Sequence, residues 1–305
     1  MNKIKQTAAF TARNMKVFFK DKGAVIGALM APLVILLLYI LFLHNVLKST
    51  FETNVQGMPT AFDDKLINGY IASFEVSSIL AVCCVTVAFV VNMIMVEDRI
   101  TGVRADINIA PVSKSVVVLG YFLSTAAVTL VVCFITLAAG FSYIAVMGWY
   151  ISAGNAFLII LDVIIATLFG TAFSSVVVQF LKSRGAINAV STVVSTVYGF
   201  ICGAYYPISQ FAKGIANAVM CLPGTYFTAL LRSHFMSGFY QPFVDAGIPT
   251  DSATEILDSL DANVYFFGSQ VPTWAMYVVS ACSIAVLLGA FILINVVRIK
   301  KKKKA

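Results

Sequence analysis

The chain has 305 residues, 60% of them hydrophobic and only 11% charged, with a mean hydropathy of +0.91 and a formal net charge of +7. Soluble proteins carry roughly 25% charged residues, so composition excludes an ordinary globular enzyme and predicts a chain whose solvent is mostly lipid. Its apolar runs are around twenty residues long and do not alternate, which predicts an all-α polytopic membrane protein rather than a barrel.

Residues 1–22 do not read as a signal peptide, because the charged lead is long and no small-residue cleavage site follows the first apolar run. Their spacing predicts an N-terminal amphipathic helix. Ile4, Ala8, Met15, Phe18 and Phe19 share one face, Lys5, Arg13, Lys16 and Lys20 share the other, and Phe10 and Val17 break the pattern. Such a helix lies in the membrane surface with its apolar side down; an ordinary charged flank is the alternative.

Span one is expected over 23–43, bent at Pro32, with His44 and Asn45 at the far interface and a polar loop over 48–68. Span two covers 71–96, and a polar island over 97–114 separates it from span three at 116–147. Trp149 and Tyr150 read as interface aromatics. Span four covers 156–181 and is stopped by Lys182–Ser183–Arg184; span five covers 186–204. The segment 205–270 is broken by Pro207, Pro223, Pro242 and Pro249. Its first half suits short helices dipping into the interface, and its second half, 245–261, is acidic. Span six covers 274–297, followed by the basic tail 298–305. The whole is one transmembrane domain, 1–305.

Six spans place both termini on one side. That side collects 17 of the 21 Lys and Arg residues, leaving Lys48, Lys65, Lys213 and Arg232 on the other. The asymmetry predicts cytoplasmic termini and a cytoplasmic island, in a cell membrane of bacterial type, and accounts for the positive charge without nucleic acid. The lysine tail anchors the last span against anionic headgroups.

Little in the chain suggests catalysis. Five of the six cysteines (Cys83, Cys84, Cys133, Cys202 and Cys282) fall in apolar runs, and no spacing resembles a zinc site or disulfide framework. There is no phosphate-binding loop, no H-E-x-x-H and no G-x-S-x-G, so no nucleotide, cofactor or metal is expected on this chain. His44 and His234 are far apart and both fall on the outer side. Glu75 and Asp162 lie inside spans, where acids are costly and often functional. Each could face a polar translocation path or sit at the headgroup boundary, and the boundary is favoured. Small-residue spacing at Gly23–Gly27 and Gly199–Gly203 supports close helix packing in general.

Within the island, Ile100, Val103, Ile107 and Ala110 form a stripe at helical spacing, while Glu97, Asp98 and Arg104 lie off it. Pro111 disfavours helix at Ala110 and marks the end. The island reads as a short amphipathic helix joined to two spans, either a lever or a plain loop helix resting on lipid.

Two stretches carry a family resemblance. Glu97, Arg99, Gly102, Pro111, Val112, Ser113 and Lys114, with Gly120 soon after, match the turn between spans two and three in one family of permeases. Tyr206–Pro207–Ile208–Ser209, Leu222–Pro223–Gly224–Thr225–Tyr226 and Leu231–Arg232 match the segment after its span five. Over essentially its whole length the chain resembles the transmembrane subunit of ABC type-2 exporters. Where that family commonly has Thr-Leu-Glu, this chain has Val103–Arg104–Ala105.

The resemblance implies a permease that binds no nucleotide and is not itself an enzyme. A cytoplasmic ATP-binding subunit would hold ATP and Mg, and a second permease subunit, identical or related, would complete the path. It further implies that Glu97, Arg99, Ile100, Gly102, Val103, Arg104, Ile107 and Pro111 receive the motor's force. Pro207, Pro223, Tyr226 and Arg232 join Glu75 and Asp162 as path or outer-loop candidates. The acidic stretch 245–261 leans toward drug or peptide export. Polysaccharide export, ATP-independent transport and a peptide-sensing or immunity role are the alternatives.

Overall fold

The computed structural model describes residues 2–54, 63–110 and 112–304; residues 55–62 of the expected loop, including Gly57 and Pro59, and the coupling candidate Pro111 lie outside the described residues. α1 (Lys3–Lys20) ends at Asp21, whose carboxylate turns to accept the Ala24 amide at 3.0 Å and so starts α2 (Lys22–Leu38). The helix continues through Pro32, and its ladder changes instead at a π-helical turn, Tyr39–Leu43. α3 (His44–Asn54) follows, so helix replaces the start of the loop expected from residue 48.

α4 (Asp64–Ile100), α5 (Val103–Ile109), α6 (Lys114–Met147), α7 (Ala153–Val178) and α8 (Arg184–Ile201) form the body. α9 (Lys213–Met220) and α10 (Pro223–Met236) meet at a 95° bend, with Pro223 opening α10 where its missing N–H is harmless. A cap of α11 (Tyr240–Asp245), α12 (Thr250–Ser259) and a hairpin of β1 (Tyr265–Phe266) and β2 (Ser269–Gln270) precedes α13 (Thr273–Lys304).

Among the described residues, five helical stretches are long and apolar enough to cross a membrane: Lys22–Thr53, Asp64–Ile100, Lys114–Met147, Ala153–Val178 and Thr273–Val297; the bent pair makes six if counted as one span. The expected fifth span is not among these stretches. It exists as α8, but α8 has 18 residues and carries Arg184, Asn188, Ser191, Thr192, Ser195 and Thr196, too polar to qualify by composition. It nevertheless reaches from Glu97, which pairs with its Arg184, to the level of Ser78, which shares Arg232 with the Gly203 carbonyl. That is about 28 Å along α4 at 1.5 Å per residue, close to the thickness of a hydrocarbon core.

α4 is the axle of the bundle. It is hydrophobic all round and buried over most of its length, as a central helix should be. Polar side chains join it to its neighbours: Asn92 donates to Ser174 at 2.7 Å and accepts from Thr125 at 3.0 Å, linking α4, α7 and α6. Gly170 lets α7 touch α4 backbone to backbone, since a Cβ there would collide with the Cys84 carbonyl. Gly170→Val is therefore expected to cost roughly 1–3 kcal/mol by overpacking. Thermal unfolding in detergent checks this, with Gly27→Ala, whose Cβ would meet nothing within 4 Å, expected to match the parent.

α1 docks on the protein by Phe10, Asn14 and Phe18, one turn apart, with Met15 half-buried against the core, while Ile4, Ala8 and Phe19 of the expected apolar face are exposed. Phe10 stacks edge-on against Tyr121 at 5.1 Å and Asn14 donates to Ser124 at 3.3 Å, so α1 runs alongside the start of α6 in steady register.

Candidate functional site

The polar island is two helices joined by a turn, not one amphipathic helix. α4 runs through Glu97, Asp98, Arg99 and Ile100; Gly102 then takes φ +83°, the left-handed conformation glycine adopts most readily. α5 follows and ends at Ala110, whose extended backbone suits the residue before a proline. The expected stripe is split accordingly. Val103 and Ile107 are half-buried, with Ile107 against the core, whereas Ile100 and Ala110 are exposed.

Three consecutive residues fasten four different helices. Glu97 accepts the Arg184 guanidinium, with Nε at 2.7 Å, and so ties α8 to α4. Asp98 is buried and accepts Arg13 from Nη1 at 2.6 Å and Nη2 at 3.1 Å, and Tyr121 Oη at 2.5 Å. This fork brings α1 and α6 onto one carboxylate, and the carboxylate raises the Arg13 guanidinium above its ordinary pKa. Arg99 reaches the carbonyls of Val178, Gln179 and Leu181 at 3.3–3.4 Å and covers the open end of α7. Arg104 lies 5.2 Å over the Tyr121 ring. Facing outward are Ile109, 85% exposed, and Ile100, 45% exposed. The inner side is tied to four neighbouring helices, and the outer side exposes Thr101, Ala105 and Asp106 beside the two isoleucines.

Arg13, Tyr121 and Arg184 were not among the sequence candidates. Arg13 had a signal: it is the only arginine in a lead otherwise of lysines, and arginine is the residue that grips a carboxylate with two bonds.

The candidates at the other end do not form one site. Arg232 is 1% exposed and donates to Asp261 at 3.0 Å, Ser78 at 2.9 Å and the Gly203 carbonyl at 2.8 Å, with its guanidinium 4.5 Å over Phe74. Asp261 also accepts the amides of Ile208 and Ser209 at 2.5 and 2.8 Å, which brings Pro207 into the same cluster. Burial pushes the Asp261 carboxyl up, against the pull of Arg232 and the two amides. Pro223 lines a separate apolar cavity of about 700 Å³ between α7, α8, α10 and α13. Tyr226 packs in a small core with Ile208, Met220 and Met276.

Glu75 and Asp162 are buried between helices, and each has a histidine and a tyrosine. His44 Nδ1 lies 3.6 Å from Glu75, which accepts Tyr143 Oη at 3.0 Å. His234 Nδ1 lies 2.6 Å from Asp162, which accepts Tyr277 Oη at 2.7 Å. Among the described residues no group of three or more His, Cys, Asp or Glu side chains could hold a metal ion.

A family model described as ABC-2 family transporter protein matches residues 43–297. The match takes in the island, the bent pair and the cap, and leaves α1 and all of α2 ahead of it. No curated protein matches the chain.

Proposed function

The chain belongs to the ABC-2 family of transporter proteins, and from that premise we propose how it is driven and what it moves. It acts as the permease subunit of an ATP-driven exporter. A separate cytoplasmic subunit holds ATP and Mg, and two permease subunits pair around the path. The substrate is hydrophobic or amphipathic: a drug, a peptide or a lipid-like molecule. Both termini and the Glu97 end of the bundle face the cytoplasm, which the excess of basic residues at that end supports.

The observation that carries this reading is the junction at Glu97–Asp98–Arg99. It fixes α1, α6, α7 and α8 to the end of α4, while α5 projects Ile109 away from the bundle. ATP can drive transport only if the motor contacts two states of the permease differently. A push on α5 reaches four helices through side chains that cannot stretch. Purification with native partners tests the reading: an ATPase subunit should accompany the chain, and its absence would sink the proposal.

Gly102 gives a second test. Proline would lock φ near −65° where the chain needs +83°. Gly102→Pro should leave the protein inserted and ATP hydrolysed while export stops. Gly102→Ala, strained by about 1–2 kcal/mol, should lower export partially. Full export by the proline variant in sealed vesicles would remove α5 from the mechanism.

A further inference from the structure

We propose that the groove between α1 and α6 binds one anionic phospholipid, the headgroup at its Lys3 end and an acyl chain along its floor. The groove has a volume of about 630 Å³ and is walled by Ile4, Ala8 and Met15 of α1 and by Val116, Leu119 and Leu123 of α6.

Two observations point to a lipid. The apolar floor continues into the membrane-facing side of the same helix: Leu119 and Leu123 are 50% and 44% exposed, and Val131 and Ile135 extend the row at four-residue spacing. An acyl chain entering the groove leaves the bilayer without crossing water. The polar end is positively charged, with Lys3 lining it and exposed Lys114 opening α6 beside Ser113.

α1 is the element that Arg13 fastens to Asp98, so an occupied groove makes the docking of α1 depend on lipid. The binding site does not rest on the proposed role as an exporter; only the leaflet that supplies the lipid, the cytoplasmic one, follows from the orientation proposed there. A failure of lipid binding and a missing ATPase are therefore separate results.

The test places a tryptophan in the groove. Both native tryptophans lie elsewhere, at 149 and 274. Leu119→Trp is made in the full chain with Trp149→Phe and Trp274→Phe, and the protein is reconstituted in phosphatidylcholine vesicles containing a minor fraction of brominated phosphatidylglycerol or brominated phosphatidylcholine. Quenching should favour phosphatidylglycerol by roughly fivefold in relative affinity, the scale of one lysine near an anionic lipid. Lys3→Gln with Lys114→Gln should abolish the preference without changing quenching by phosphatidylcholine. Equal quenching by the two lipids overturns the proposal, as does a preference that survives the lysine changes. No quenching by either lipid means that another occupant covers the groove, and overturns it too. Leu123→Trp serves as a second reporter if the first variant does not fold.

Discussion

Asp261→Ala is expected to destabilise the protein by roughly 3–5 kcal/mol, the cost of stranding a buried charge. Arg232 is 1% exposed and has no route to water, and Asp261 is its only carboxylate partner among the described residues. The change also orphans the Ile208 and Ser209 amides. Alanine further replaces a residue at φ +56°, a conformation that aspartate tolerates better. The lesion falls where three separate pieces meet: α10, the turn after α8 and the loop after α12. Arg232→Met with Asp261→Asn removes the charge and keeps an acceptor for the amides, so it should recover much of the loss. Unfolding followed by a thiol-reactive dye checks both, because Cys202 is buried beside Gly203. If the single and double variants unfold together, the ion pair does not hold the cap.

The fold was legible wherever a helix had to satisfy lipid on its own. Spans at 71–96, 116–147, 156–181 and 274–297 each fall within or nearly match one continuous helix, since length and hydropathy decide such segments. α8 was located correctly but is more polar than a solitary span allows, and Asn188, Thr192 and Thr196 lie on its exposed face while Ile187 and Gly199 are buried. The faces of α1 were harder. Hydrophobic periodicity selected Phe18 and Met15, which pack, together with Ile4 and Phe19, which are exposed, and passed over Phe10 and Asn14, which dock. A docked ridge can be polar when it finds a partner, and periodicity carries no information about partners.

The same limit explains the acids. Glu75 and Asp162 were visible as costly charges in apolar helices, yet their histidines come from α3 and α10, distant in sequence. The chain has only two histidines, and an acid buried among helices needs a donor. That pairing could have been sought by counting donors against acids.

Asp98→Ala is expected to cut export at least tenfold while ATP hydrolysis by the assembled transporter persists. A coupling free energy of 1–3 kcal/mol corresponds to changes of about 5–150-fold. The fold should survive, because the geometry differs from that at Asp261. Arg13 has a side chain 35% exposed and can turn to water once its carboxylate is gone. The buried Tyr121 hydroxyl loses its acceptor, at a cost of about 1–3 kcal/mol. What disappears is the fork that obliges α1 and α6 to move with the end of α4. Arg13→Lys should lose part of the export, since an ammonium cannot reproduce the two parallel bonds. Arg13→Ala should reproduce much of the Asp98→Ala defect, and combining the two should add little, as expected for residues that act as one unit. Two additive losses would mean that each residue serves a different contact. Unchanged export in Asp98→Ala would mean that α1 follows α4 through Phe10 and Phe18 alone, and that the island transmits force through Glu97 and Arg99 without it.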